Sequence, residues 1–145
     1  MGLTSLTVTN GYAGYSALSK TVTFVNTAAD VNLFTVTGDV LIKLIAICDT
    51  SIASAAGCNL SVGVTGDLDD LIAVTTGTDL DAGNIWHDNA PDEGFEWSSV
   101  IKEAIIANGL DIILDVETAK QVDSGVISFY LWWAPISSDG IIVVA

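Results

Sequence analysis

Few residues in this chain have the types and spacing to do chemistry. His87 is the only histidine, and in Ile85-Trp86-His87-Asp88 the adjacent carboxyl invites a reading as a catalytic base and its orienting partner. Consecutive strand residues point to opposite faces, and a productive pair normally comes from separate segments, so the sequence favours a structural histidine. No Gly-x-Ser-x-Gly elbow and no reactive cysteine context accompanies it. Cys48 and Cys58 flank the segment Asp49–Gly57. If the strands around them paired as a hairpin, a disulfide would be geometrically open. Without a secretory signal, two small buried hydrophobes is the favoured reading, and two cysteines with one histidine make a poor zinc set.

Carboxylates gather in loops: Asp67, Asp69 and Asp70, then Asp79 and Asp81, then Asp88, Asp92, Glu93 and Glu96. Such oxygens suit Ca²⁺, yet neither Asp67-Leu68-Asp69 nor Asp79-Leu80-Asp81 continues into a calcium-loop pattern with a closing glutamate. Solvated charge that keeps a greasy protein soluble accounts for them better. A glycosidase-style carboxyl pair depends on the fold, and a chain this short shows no cleft-building insertion. Gly11-Tyr12-Ala13-Gly14-Tyr15 lacks the strand-to-helix context of a phosphate loop and reads as a turn or arm. The expectation is therefore no catalytic residue, no cofactor and no metal.

The elements that would position these residues are β-strands. β-branched runs separated by Gly, Asn, Asp and Ser predict strands near Ser5–Thr9, Thr21–Val25, Val31–Thr37, Val40–Cys48, Asn59–Thr65, Leu71–Thr76, Asp111–Glu117, Val126–Ala134 and Ile141–Val144. Asn10-Gly11, Thr37-Gly38-Asp39, Gly66-Asp67, Asn108-Gly109 and Asp139-Gly140 supply the reversals. From Ser98 to Ala107 the residues Val100, Ile101, Ala104 and Ile105 fall at helical spacing between a serine cap and Asn108-Gly109, which predicts one short helix. The competing reading is a strand through Val100–Ile106, which would set Lys102 and Glu103 on opposite faces. The whole is an all-β single domain over 1–145, a β-sandwich or a jelly-roll or barrel-like fold, with residues 1–18 as a candidate N-terminal arm.

Val126–Ala134 is bulky at both even and odd positions, so whichever face meets the core, the other is apolar too. Burying an aromatic side chain is worth about 1.5–3 kcal/mol, so this second face calls for a cover. Phe129, Tyr130, Leu131, Trp132 and Trp133 are the interface candidates, and a homo-oligomer with a hydrophobic interface is expected.

Composition narrows the partners. The 145 residues carry a formal charge of −14, are 50% hydrophobic and only 15% charged, which excludes disorder and demands that much apolar surface be hidden. All four basic residues are lysines (Lys20, Lys43, Lys102 and Lys120), so the chain lacks the planar fork suited to phosphates, which argues against nucleic acid. An anionic membrane surface is disfavoured by the same sign. The apolar runs Val40–Cys48 and Phe129–Ile136 fall short of the ~18 residues of a spanning helix, and strands apolar on both faces do not suit an outer-membrane barrel. The start Met1-Gly2-Leu3-Thr4-Ser5-Leu6-Thr7-Val8-Thr9 alternates like a strand and lacks a basic, then apolar, signal, so synthesis in a cytosol is expected.

Three stretches carry a resemblance. Leu33-Phe34-Thr35-Val36-Thr37-Gly38-Asp39-Val40, then Ile85-Trp86-His87-Asp88 with Pro91-Asp92, then Ile127-Ser128-Phe129-Tyr130 through Pro135-Ile136-Ser137-Ser138-Asp139-Gly140, resemble head decoration (cement) proteins of tailed bacteriophages. The resemblance implies a virion protein, often trimeric, assembled in the host cytoplasm and seated on the outer capsid surface where major capsid protein subunits meet. Such proteins work through surfaces, so it carries no site residues over. One alternative is a β-sandwich binding module of a phage tail or cell surface that stacks carbohydrate on Trp86, Trp97, Trp132 or Trp133. Another is a small hydrolase using two loop carboxylates. Exposed tryptophan in a groove would favour the first alternative, and a carboxyl pair converging in one pocket the second.

Overall fold

The structure is a computed structural model and describes residues 14–145. The expected strand Ser5–Thr9, the Asn10-Gly11 turn and most of the candidate arm lie outside the described residues. Alternating runs form eleven strands: β1 (Ser16–Thr27), β2 (Val31–Thr37), β3 (Val40–Ala53), β4 (Asn59–Val64), β5 (Asp67–Thr76), β6 (Asn84–Trp86), β7 (Asp92–Glu93), β8 (Glu103–Ile106), β9 (Ile112–Val116), β10 (Val122–Pro135) and β11 (Ile141–Val144). They make a two-layer sandwich. The first sheet runs β1-β10-β3-β6-β7 with β8 also paired to β3, and the second runs β11-β2-β9-β4-β5. All the pairings are antiparallel. The sheets do not close into a barrel.

Period-two alternation divides the long strands between two environments. On β3, Val40, Ile42, Leu44, Ala46 and Cys48 are buried, while Leu41, Lys43, Ile45 and Ile47 are half-buried on the other face. On β10, Ile127, Phe129 and Leu131 enter the same core, met from the second sheet by Phe34, Leu60, Val62, Ile112 and Leu114. Trp86, fully buried on β6, packs edge-on against Phe129 at 6.4 Å and donates its indole N–H across the sandwich to Thr75 Oγ1 at 2.8 Å. At the opposite side, Lys20 Nζ donates to the carbonyls of Asn32 and Ala145, both at 2.7 Å.

One bulge adjusts the register. β10 slips against β3 between Ser124 and Ile127, around Gly125, whose φ of +131° and approach to Ser51 O exclude a side chain. It lets β3 run on through Ala53, well beyond the expected end at Cys48.

The helix expected over Ser98–Ala107 does not form. Ser98–Val100 makes a single 3-10 turn, and Glu103–Ile106 is strand β8, with Val40 opposite Ile106 and Lys43 opposite Glu103. The backbone groups of β3 beyond its pairing with β6 need partners, and four residues of strand supply them, outweighing a helical spacing of only four apolar positions. Lys102 stays outside the strand, which removes the objection that the two charges would lie on opposite faces.

Candidate functional site

The outward face of the first sheet is built by register. Opposite residues share a face, so Trp132 sits beside Lys43 and Ala17, Tyr130 beside Ile45 and Ser19, and Ala134 beside Leu41, which in turn meets Ile105. Ile47 pairs with Ile85 on the same side. The result is a patch of Leu41, Ile45, Ile47, Ile85, Ile105, Tyr130 and Trp132 on the side away from the second sheet. Ile105 is 70% exposed and Tyr130 37%, and the other five are half-buried. Tyr15 reaches the same face, donating its hydroxyl to Glu103 Oε1 at 2.9 Å, and its pKa is raised by burial and by that carboxylate. Contiguous apolar surface of this kind marks interaction sites.

This placement divides the interface candidates. Tyr130 and Trp132 lie on the outward face. Phe129 and Leu131 are fully buried between the sheets and are corrected from interface to core, because alternation turns them toward Phe34 and its neighbours. Trp133 also points inward, half-buried at the margin of the core, and its indole N–H finds no acceptor among the described residues. Ile105 was missed because its segment reads as a helix. The alternation Glu103-Ala104-Ile105-Ile106 was the available signal.

His87 follows β6 directly. β6 and β7 pair Asn84 with Glu93 and Ile85 with Asp92, a two-residue ladder that brings Asp92 back beside the imidazole. His87 Nε2 lies 2.7 Å from Asp92 Oδ2 and 3.6 Å from Glu96 Oε2, while Nδ1 faces Asp88 Oδ2 at 3.5 Å. Among the described residues the ring has carboxylate partners and no hydroxyl or thiol partner, so a nucleophile awaiting activation is not part of this cluster. The adjacent Asp88 noticed in the sequence makes only a long contact. Asp92, five residues on, makes the short contact.

Beside His87 a cleft of about 580 Å³ opens between β5 and β8. Leu44, Ile72 and Ile101 line it below, and Asp69, Asp70, Asp88, Lys102 and Glu103 stand around it. It thus gathers carboxylates from β5, from the segment after β6 and from β8, as the hydrolase alternative requires. Asp67, Asp69 and Asp70 also crowd together, and the hydrogen bond that a protonated Asp67 makes to Asp69, with the charge of Asp70, raises the Asp67 pKa. Of the tryptophans, Trp86 is core, whereas Trp97 is 69% exposed and stands edge-on to exposed Phe95 at 5.3 Å.

The cysteines do not face each other in a hairpin. β3 belongs to the first sheet and β4 to the second, and both thiols are buried and free. Burial, then Asp49 and Asp81, push the Cys48 thiol up to about 11, so it is inert as a nucleophile near neutrality.

No protein-family model matches the chain, and no curated protein matches its sequence. Among solved structures it is similar to a chain of the acid-stable capsid structure of Helicobacter pylori bacteriophage KHP30, with a TM-score of 0.48 and 12% identity, over 89% of this chain and 94% of that one. No helix among the described residues is long and apolar enough to cross a membrane.

Proposed function

We propose that the chain is a virion structural protein of the capsid decoration (cement) type. In this reading it sits as a homo-trimer on the outer surface of a phage head and binds the major capsid protein. The observation that carries the reading is the outward apolar face of the first sheet, with Ile105 and Tyr130 exposed beside Ile45 and Trp132. A surface of this composition gains free energy when another surface covers it, and a protein that binds an assembled shell stabilises it by mass action without a catalytic group. The resemblance of its short phrases to head decoration proteins supports the same reading. The charge of −14 keeps the protein off the genome.

The test is co-sedimentation of the purified chain with expanded heads lacking their decoration protein. Saturable binding by the wild type that Ile105→Asp weakens at least tenfold supports the proposal. Absence of wild-type binding, or binding indifferent to Ile105→Asp, refutes it.

A second reading rests on the exposed Phe95 and Trp97 pair, a stacking platform for a sugar ring. It makes the chain a carbohydrate-binding module. Trp97→Ala would then abolish glycan binding and leave association through the first sheet untouched.

A further inference from the structure

We propose that His87, Asp92 and Glu96 form a binding site for one divalent transition metal ion, of the class for which Zn²⁺ is the probe. One ligand atom from each residue lies within 4.8 Å of the other two, and all three side chains are partly buried, the His87 side chain only 13% exposed. The ligands sit on a segment anchored at both ends. Trp86 is locked in the core immediately before His87, and the β6–β7 ladder fixes Asp92.

Charge makes the case specific. Asp88, Asp92 and Glu96 surround one imidazole, and no lysine or arginine occurs between Lys43 and Lys102. Lys102 lines the neighbouring cleft and pairs with none of the three. His87 Nε2 lies 2.7 Å from Asp92 Oδ2 and 3.6 Å from Glu96 Oε2, so one ring nitrogen and two carboxylate oxygens converge on one point, with Asp88 on the Nδ1 side of the ring. A metal ion satisfies Nε2, Asp92 and Glu96 together, with Asp88 orienting the ring from behind in the usual carboxylate–histidine–metal order. A nitrogen with two carboxylate oxygens suits Zn²⁺ better than Ca²⁺, which takes six to eight oxygens, and leaves a fourth position for water. The exposed triad Asp67, Asp69 and Asp70 contains no imidazole and gives no such selectivity. Because Glu96 lies between Phe95 and Trp97, the ion would also fix the loop that presents this aromatic pair.

The test is calorimetric titration of the metal-stripped full chain with zinc chloride, with calcium chloride in parallel. Expected is one Zn²⁺ per chain with micromolar or tighter affinity, Ca²⁺ at least tenfold weaker, and at least tenfold loss of Zn²⁺ affinity in both His87→Ala and Asp92→Asn. Asp69→Asn should bind Zn²⁺ as the wild type does. Circular dichroism checks each variant, and Asp92→Asn, altering a partly exposed side chain, serves if His87→Ala does not fold. No one-to-one binding by the wild type overturns the proposal, since the contact of His87 with Asp92 would then be an ordinary hydrogen bond. Binding that survives both variants overturns it too, since scattered carboxylates would then hold the ion.

Discussion

The two outward faces of the sandwich are built by the same alternation and end up opposite in character. On the first sheet, β3 and β10 turn Leu41, Ile45, Ile47, Tyr130 and Trp132 outward, with Lys43 among them and Asp49 at the margin, where Ser128 donates to it. On the second, Ser61 pairs with Asp115 and Thr35 with Val143, and Asp30 and Asp111 are drawn onto the face, where they cap the N–H groups of Val116 and Val36. Burial, the neighbouring Asp30 and a hydrogen bond with it raise the Asp115 pKa. A face holding interacting carboxylates gains by staying wet, whereas a face of isoleucine and tryptophan gains by being covered. Although β11 also leaves Ile141 and Val143 exposed on the second face, the proposed function gives the second sheet to solvent and the first to a partner.

The largest expected effect separates the inside of β10 from its outside. Phe129→Ala should cost about 3–5 kcal/mol of folding stability, read from a urea midpoint, because it empties a packed position. Tyr130→Ala should cost under about 1 kcal/mol of folding stability and weaken association instead. Equal losses of stability would erase the distinction between the two faces of the strand.

Next in size is charge placed on each outward face. Ile105→Asp should weaken self-association about tenfold or more, as expected from forfeiting an isoleucine burial of about 1.5–3 kcal/mol. Thr35→Asp, on the second sheet, should leave self-association unchanged in the same sedimentation assay. If Thr35→Asp is the damaging change, the faces have been assigned the wrong way round.

Smaller is the response of the acidic face to pH. A carboxyl held above its ordinary range binds its proton more readily folded than unfolded, so Asp67 and Asp115 add stability as pH falls from 7 toward the unfolded value near 3.9. Glu117, bonded by the Asn59 N–H and Lys120, and Asp123, bonded by the Ala55 N–H and Gln121, have lowered values and lose their contribution below about pH 4. The urea midpoint should therefore rise as pH falls from 7 toward about 4 and fall in stronger acid. Asp115→Asn should stabilise at pH 7 by about 0.2–1 kcal/mol, the size of a like-charge contact on a sheet, and flatten the rise. Smallest of all, Trp133→Phe should change the stability of the unassembled chain by under about 1 kcal/mol, since losing the unpaired indole N–H offsets the packing lost with the larger ring.

The long strands were legible because their patterns are long. Val31–Thr37 and Ile141–Val144 form over the expected residues, and β3 and β10 differ only in running further, through polar ends that pair across the Gly125 bulge. β6, β7 and β8 have three, two and four residues, too few to show a period, and β8 exists because β3 has a free edge beside it. An apolar second face could be read from Val126–Ala134, but its membership could not. Which parity faces the core is settled by partners such as Phe34 and Trp86, far away in the chain. The His87 cluster was less legible still. Asp92 and Glu96 reach the imidazole through a two-residue ladder and a loop that leave no spacing rule in the sequence.

Sedimentation equilibrium of the wild type and of the double variant Ile45→Asp, Ile105→Asp, at micromolar concentration and from low salt to about 0.5 M sodium chloride, tests the central claim most directly. Charge repulsion between copies reaches roughly 10 Å at 0.1 M salt and under about 5 Å at 0.5 M, so an apolar association should hold or tighten across the series. The account predicts a wild-type oligomer that persists at 0.5 M salt and a folded, monomeric double variant at every salt concentration. A monomeric wild type, or an oligomer that dissociates as salt rises or survives both aspartates, would contradict it.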